Sequence, residues 1–92
     1  MMNTATMARA WTVELRYEED ADLTRAVAYM RLPSGRLLTA EGQARRHPVD
    51  RPRASIGEEM AGARALSGLA HRLLEAAADE VEVNVHGGDP AV

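Results

Sequence analysis

The 92-residue sequence predicts a two-layer α+β domain: a three-stranded antiparallel meander covered on one face by a long C-terminal helix, in β-β-β-α order. Three observations predict it. Two stretches alternate apolar and polar residues, a Pro-Ser-Gly turn folds the second alternation back on itself, and a long alanine-rich run follows a helix-capping signal.

Met1 to Arg9 is polar and rich in small residues and reads as a flexible N-terminus, leaving 10–82 as a single domain. From there Trp11, Val13, Leu15 and Tyr17 share one face, with Thr12, Glu14, Arg16 and Glu18 on the other, the period of a half-buried strand. The acidic run Glu18-Glu19-Asp20-Ala21-Asp22 makes a solvated turn. A second strand places Ala26, Ala28, Met30 and Leu32 on one side and Val27, Tyr29 and Arg31 on the other. Pro33-Ser34-Gly35 suits a three-residue hairpin loop, with Pro presetting the first turn position and Gly taking the left-handed one. That loop length pairs Met30 with Leu38 and Ala28 with Ala40, so Leu38, Ala40, Gly42 and Ala44 share the inner face.

Arg45 to Ala54 carries two prolines and forms a connector. Ser55 then caps a helix, Glu58 completes the capping box, and the Glu58-Glu59 pair suits the positive end of the helix dipole. The helix is expected from Ile56 to Ala78. Ile56, Ala63, Leu66, Leu69, Ala70, Leu73, Leu74 and Ala77 form the stripe expected to pack on the sheet, with Arg64, Gly68, Arg72 and Glu75 outside it. Val81, Val83 and Val85 alternate again and suit a short edge strand before Gly87-Gly88-Asp89-Pro90 closes an 83–92 tail.

Composition bounds the function. A chain this short sits near the lower limit for a self-sufficient core, and with no Phe its aromatic bulk is only Trp11, Tyr17 and Tyr29. Absence of Cys excludes a disulfide scaffold, thiol catalysis and Cys-based zinc sites, and suits a cytoplasmic protein. Every basic residue is Arg, yet the net charge of −3 disfavours a generic polyanion binder. Met1 to Arg9 holds no apolar signal core, and Arg64, His71, Arg72 and Glu75 interrupt the most apolar stretch. Secretion and membrane spanning are therefore not expected.

The run Pro48-Val49-Asp50-Arg51-Pro52, then Ile56-Gly57-Glu58-Glu59, Ala63-Arg64-Ala65-Leu66-Ser67 and Leu69-Ala70-His71-Arg72-Leu73-Leu74, resembles a family of short actinobacterial proteins classed as a domain of unknown function. The resemblance covers Trp11 to Glu82 and implies a fold like the double-stranded-RNA-binding domain, with no established activity. Such domains grip RNA through an N-terminal helix, the loop between the first two strands and a basic start of the last helix. Here the first eleven residues carry no helix signal, the loop is Glu-Glu-Asp-Ala-Asp and the helix opens Gly57-Glu58-Glu59.

Arg45, Arg46, Arg51 and Arg53 in the connector form a candidate anion or partner patch beside a helix N-terminus. Neutralisation by the acidic turn at the same end of the sheet is the favoured alternative. Glu59 falls near the centre of the expected stripe, where a carboxylate needs a partner, and is read as a structural clamp on Arg45, Arg46 or Arg51. His47, His71 and His86 lack metal-ligand spacing. Ser34, Ser55 and Ser67 are absorbed by turn, cap and helix roles, so no catalytic residue, metal or cofactor is indicated. On the outer sheet face, Val27, Tyr29, Arg31 and Leu37 make a candidate homodimer face. The functional expectation is a cytoplasmic, non-catalytic interaction or accessory module that binds itself or another protein, the alternative being RNA binding through the connector arginines.

Overall fold

A computed structural model describes residues 6–45 and 54–87. Three strands, β1 (Val13–Glu19), β2 (Leu23–Arg31) and β3 (Leu37–Arg45), form an antiparallel sheet in the order β1-β2-β3. One helix, α1 (Ala54–Glu82), covers it and continues into a π-helical turn, Val83–Gly87.

Turn chemistry sets both hairpins. Around Pro33-Ser34-Gly35, the Leu32 N–H donates to the Arg36 carbonyl and the Gly35 N–H to the Leu32 carbonyl, each at 2.8 Å. Gly35 takes φ 96°, which a side chain would oppose. The register follows: Met30 lies opposite Leu38, Ala28 opposite Ala40, Tyr29 opposite Thr39 and Arg31 opposite Leu37, as the loop length required. In the β1–β2 turn the Asp20 carboxylate accepts the N–H groups of Asp22 (3.0 Å) and Leu23 (2.9 Å), while its own N–H donates to the Leu23 carbonyl (3.0 Å). This local bonding is why an acidic residue can start a tight turn.

Period-two alternation buries Ala26, Ala28, Met30, Leu38 and Ala44, with Gly42 buried and Ala40 half-buried beside them. Val13, Leu15 and Tyr17 pair with Met30, Ala28 and Ala26 and so share this face. As the outer strand, β1 is covered incompletely, and Val13 and Tyr17 keep 40% and 39% of their surface exposed.

The helix corrects the expected packing stripe. The residues of α1 buried on the sheet are Ala61, Gly62, Ala65, Leu69 and Ala76, with Leu73 half-buried at the margin. Ile56, Ala63, Leu66, Ala70, Leu74 and Ala77, expected inside, are exposed. The cause lies in the strands. A side chain at Gly42 would overlap the main chain of Ala61 and Ala65 and come within 2.8 Å of the Arg64 Cβ, so helix backbone rests directly on strand backbone. Gly68 faces the Ala40 Cβ in the same manner, 3.1 Å from where its own Cβ would stand, and Gly62 faces the Tyr17 hydroxyl. A sheet paved with Ala and Gly is matched by a helix face of Ala and Gly, and close approach maximises dispersion contacts along the whole seam. A leucine at Ala61 or Ala65, against Gly42, would hold the two layers apart.

Two further expectations change at the helix ends. Since α1 begins at Ala54, Ser55 lies within its first turn, and the Ser55 side chain is outside the described residues. At the other end the expected edge strand is helical: Val81 belongs to α1, and Val83 and Val85 to the π-helical turn, all three about 60% exposed. Extending an existing helix past Ala76-Ala77-Ala78 needs no new nucleus, whereas a strand here would. Along its length α1 is tied by Arg64, which donates to the Gln43 carbonyl, and by an Arg36–Asp79 ion pair at 3.4 Å.

Gly42→Val is expected to destabilise the fold by ~3 kcal/mol or more, since overpacking against backbone cannot be relieved by a rotamer change. A urea midpoint close to that of the parent would contradict the backbone seat. A second expectation concerns acid. The N–H groups of Asp22 and then Leu23 hold the Asp20 carboxyl below its ordinary value, with the Arg45 charge adding to them. A carboxyl depressed in the folded state contributes stability above its unfolded pKa, ~3.9, that is lost as pH falls through the folded value. Urea midpoints followed downward from about pH 6 should therefore fall less steeply below ~4 in Asp20→Asn than in the parent.

Candidate functional site

The outer face of the sheet carries the expected patch in a polar frame. Val27 and Tyr29 are half-buried, Leu37 is 47% exposed, and Arg31 is exposed and donates to the Gly35 carbonyl at 2.8 Å. The Arg16 guanidinium sits 5.4 Å from the centre of the Tyr29 ring and also pairs with Glu14 at 3.2 Å. Arg25 bridges β1 and β3 by pairing with Glu18 (2.8 Å) and Glu41 (3.8 Å), and these carboxylates raise the affinity of its guanidinium for its proton. The apolar atoms of this face are thus laced with charges that are already matched.

At one end of the sheet Arg45 closes β3 opposite Leu23, and its charge reaches Asp20 in the acidic turn. The other members of the expected arginine patch, Arg46, Arg51 and Arg53, lie outside the described residues, as does His47. Glu59 is exposed, which corrects its reading as a carboxylate buried in the helix–sheet seam. The face expected to be inside faces out; of the arginines that Glu59 was expected to bind, Arg46 and Arg51 lie outside the described residues.

The outward side of α1 carries a second apolar stripe. Ile56, Met60, Ala63, Ser67, Ala70, Leu74, Ala77 and Val81 follow one another at alternating steps of four and three residues. All eight are exposed: Ile56 by 49%, Met60 by 45%, Leu74 by 67% and Val81 by 61%. This spacing averages 3.5 residues and keeps the set on one side of a helix, away from Ala61, Ala65, Leu69 and Ala76. Leu66, 42% exposed, widens the stripe on one flank, while Arg64 and His71 border the other. Spacing alone was a usable signal; side-chain size obscured it.

Where α1 passes the β2–β3 hairpin, Trp11, Leu32, Pro33, Leu73, Ala76 and Ala77 line an open cleft of about 230 Å³ whose polar members are Ser34 and Glu80. The Ser34 hydroxyl accepts the Arg36 N–H at 3.3 Å and so serves the turn. Such a cleft can receive an apolar side chain. Among the described residues no three of His, Asp or Glu converge as metal ligands, and no helix is long and apolar enough to cross a membrane.

Comparison with known proteins accounts for most of the chain. A family model described as Rv2632c-like matches residues 9–89. The uncharacterized protein Mb1767 of Mycobacterium bovis is 40% identical over 76 residues, covering 83% of this chain and 80% of its own length. The uncharacterized protein Rv2632c of Mycobacterium tuberculosis is 35% identical over 86 residues, covering 94% of this chain and 91% of its own. The crystal structure of Rv2632c superposes with a TM-score of 0.80 at 35% identity, over 90% of this chain and 98% of that one. These relatives are mycobacterial, in keeping with the actinobacterial resemblance. Because sequence and fold agree through both hairpins and the covering helix, the chain belongs to the Rv2632c-like family.

Proposed function

We propose that this protein is a non-catalytic, cytoplasmic interaction module that self-associates. The observation that supports it is the two-sided character of α1: one side is buried on the sheet, while the opposite side, equally continuous and bearing the larger residues, is exposed among the described residues. A helix apolar on both sides is characteristically buried on both. In a domain whose core is mostly alanine, a second layer adds the burial that the chain cannot supply alone. The outer sheet face around Val27, Tyr29, Arg31 and Leu37 is the weaker candidate, because its ion pairs and the Arg16–Tyr29 stack already satisfy it.

RNA binding, the alternative, draws support from the connector arginines Arg45, Arg46, Arg51 and Arg53 and from the β-β-β-α element order shared with double-stranded-RNA-binding domains. It is opposed by an acidic β1–β2 turn and by Glu58 and Glu59 in the first turns of α1, where that fold needs cations. Sedimentation over roughly 1–100 µM, at low and high salt, should show a species heavier than one chain that is insensitive to salt, as apolar association requires. A single-chain mass at every concentration would remove the proposal, and saturable, salt-sensitive binding of labelled duplex RNA would replace it.

A further inference from the structure

We infer that the uncovered side of α1 is occupied by the same side of α1 from a second copy of this chain, the two helices running antiparallel about a two-fold axis that passes between Ser67 and Ala70. The inference rests on the self-association reading and gives it a surface, an orientation and a register.

The order of residues along the stripe carries it. A two-fold interface must be complementary to itself, because the same patch serves both partners. Read forward, the stripe is Ile56, Met60, Ala63, Ser67, Ala70, Leu74, Ala77, Val81. Laid against its own reverse, Met60 meets Ala77 of the second copy, Ala63 meets its Leu74, Ser67 meets its Ala70, and Ile56 meets its Val81. Each of Met60 and Leu74 is therefore matched to an alanine, and the helices keep a nearly even separation from end to end. A parallel pairing places Met60 on Met60, Leu74 on Leu74 and Ala70 on Ala70, which forces wide and narrow layers to alternate and opens voids at the alanines. On one flank the antiparallel register brings Leu66 against Leu73 of the second copy. Glu59 and Glu80 then face each other at the ends, where both are exposed and water screens their repulsion.

Length and position agree. From Ile56 to Val81 the stripe runs ~39 Å at 1.5 Å per residue. A contact of that length and ~10 Å width removes on the order of 1,000 Å² from both partners together, the scale at which specific dimers begin. More than three uninterrupted heptads is also the extent that distinguishes a helix seam from chance spacing. The stripe lies on the side of α1 away from the sheet, so two copies meet helix to helix with their sheets outermost.

The test uses the full chain, which contains no cysteine to confuse cross-linking. Sedimentation of the parent and of Leu74→Glu is compared, with circular dichroism confirming that the variant is folded, as the 67% exposure of Leu74 leads one to expect. Oxidative cross-linking is run on Ala63→Cys and on the double variant carrying Ala63→Cys and Leu74→Cys. The expected results are a dimeric parent, an association at least ~100-fold weaker in folded Leu74→Glu, covalent dimer from the double variant, and none from Ala63→Cys alone. Parent-like dimerisation of Leu74→Glu would overturn the helix seam while leaving self-association in place. A monomeric parent would overturn both. Covalent dimer from Ala63→Cys alone would overturn the antiparallel register.

Discussion

The backbone contact between Gly42 and the Ala61–Ala65 turn is the constraint from which the other features of this domain follow. At Gly42 it fixes the distance between helix and sheet at a value that leaves no room for a side chain between them, and so selects which side of α1 turns inward. Once Ala61, Gly62, Ala65 and Ala76 are inside, the helix has no choice about Ile56, Met60 and Leu74: a residue opposite a buried one must face out. The close seat and the apolar exterior are one decision seen from two sides. The same constraint agrees with the core, in which Leu69, Met30, Leu38 and Leu32 keep 3–6% exposure and the fully covered positions are alanines.

The remaining contacts adjust the helix and protect the edges. Arg64 lies along the open edge of β3 and occupies the Gln43 carbonyl, a group that another strand could otherwise address. The opposite edge, β1, is short and carries Glu14, Arg16, Glu18 and Glu19, and charges at that density discourage edge-to-edge pairing. The Arg36–Asp79 pair joins the β2–β3 hairpin to the far end of α1; with both side chains well exposed, it orients more than it stabilises.

Much of this fold was legible in the sequence, and the reason is local chemistry. Pro33-Ser34-Gly35 determines its own loop, the loop determines the register, and the register agrees with the alternation of Ala28, Met30, Leu38 and Ala40, so errors at one level would have shown at the next. The helix was equally legible as an element, but not its rotation. Two apolar sides compete in α1, and the choice between them depends on a non-local fact, the flatness of the β2–β3 surface, to which the sizes of residues within α1 give no access. Taking the larger side chains as the inner ones follows the usual hydrophobic ranking, and that ranking fails where backbone meets backbone. The misplacement of Glu59 is the same error seen at one residue. Val81 to Val85 was misread for a related reason: alternating valines satisfy the strand pattern, but an established helix simply grows through them.

Among the described residues, none of the larger side chains is buried beyond 98%, and this has a thermal consequence. The heat-capacity change on unfolding scales with the apolar surface newly exposed to water. A core in which alanines outnumber the larger side chains exposes less of it per residue, so the free energy of a single copy bends more gently with temperature, with a lower and broader maximum. Under the self-association proposed above, such a chain would owe its resistance to heat less to the height of that maximum than to the second copy on the outer side of α1, and its melting temperature would rise with its own concentration.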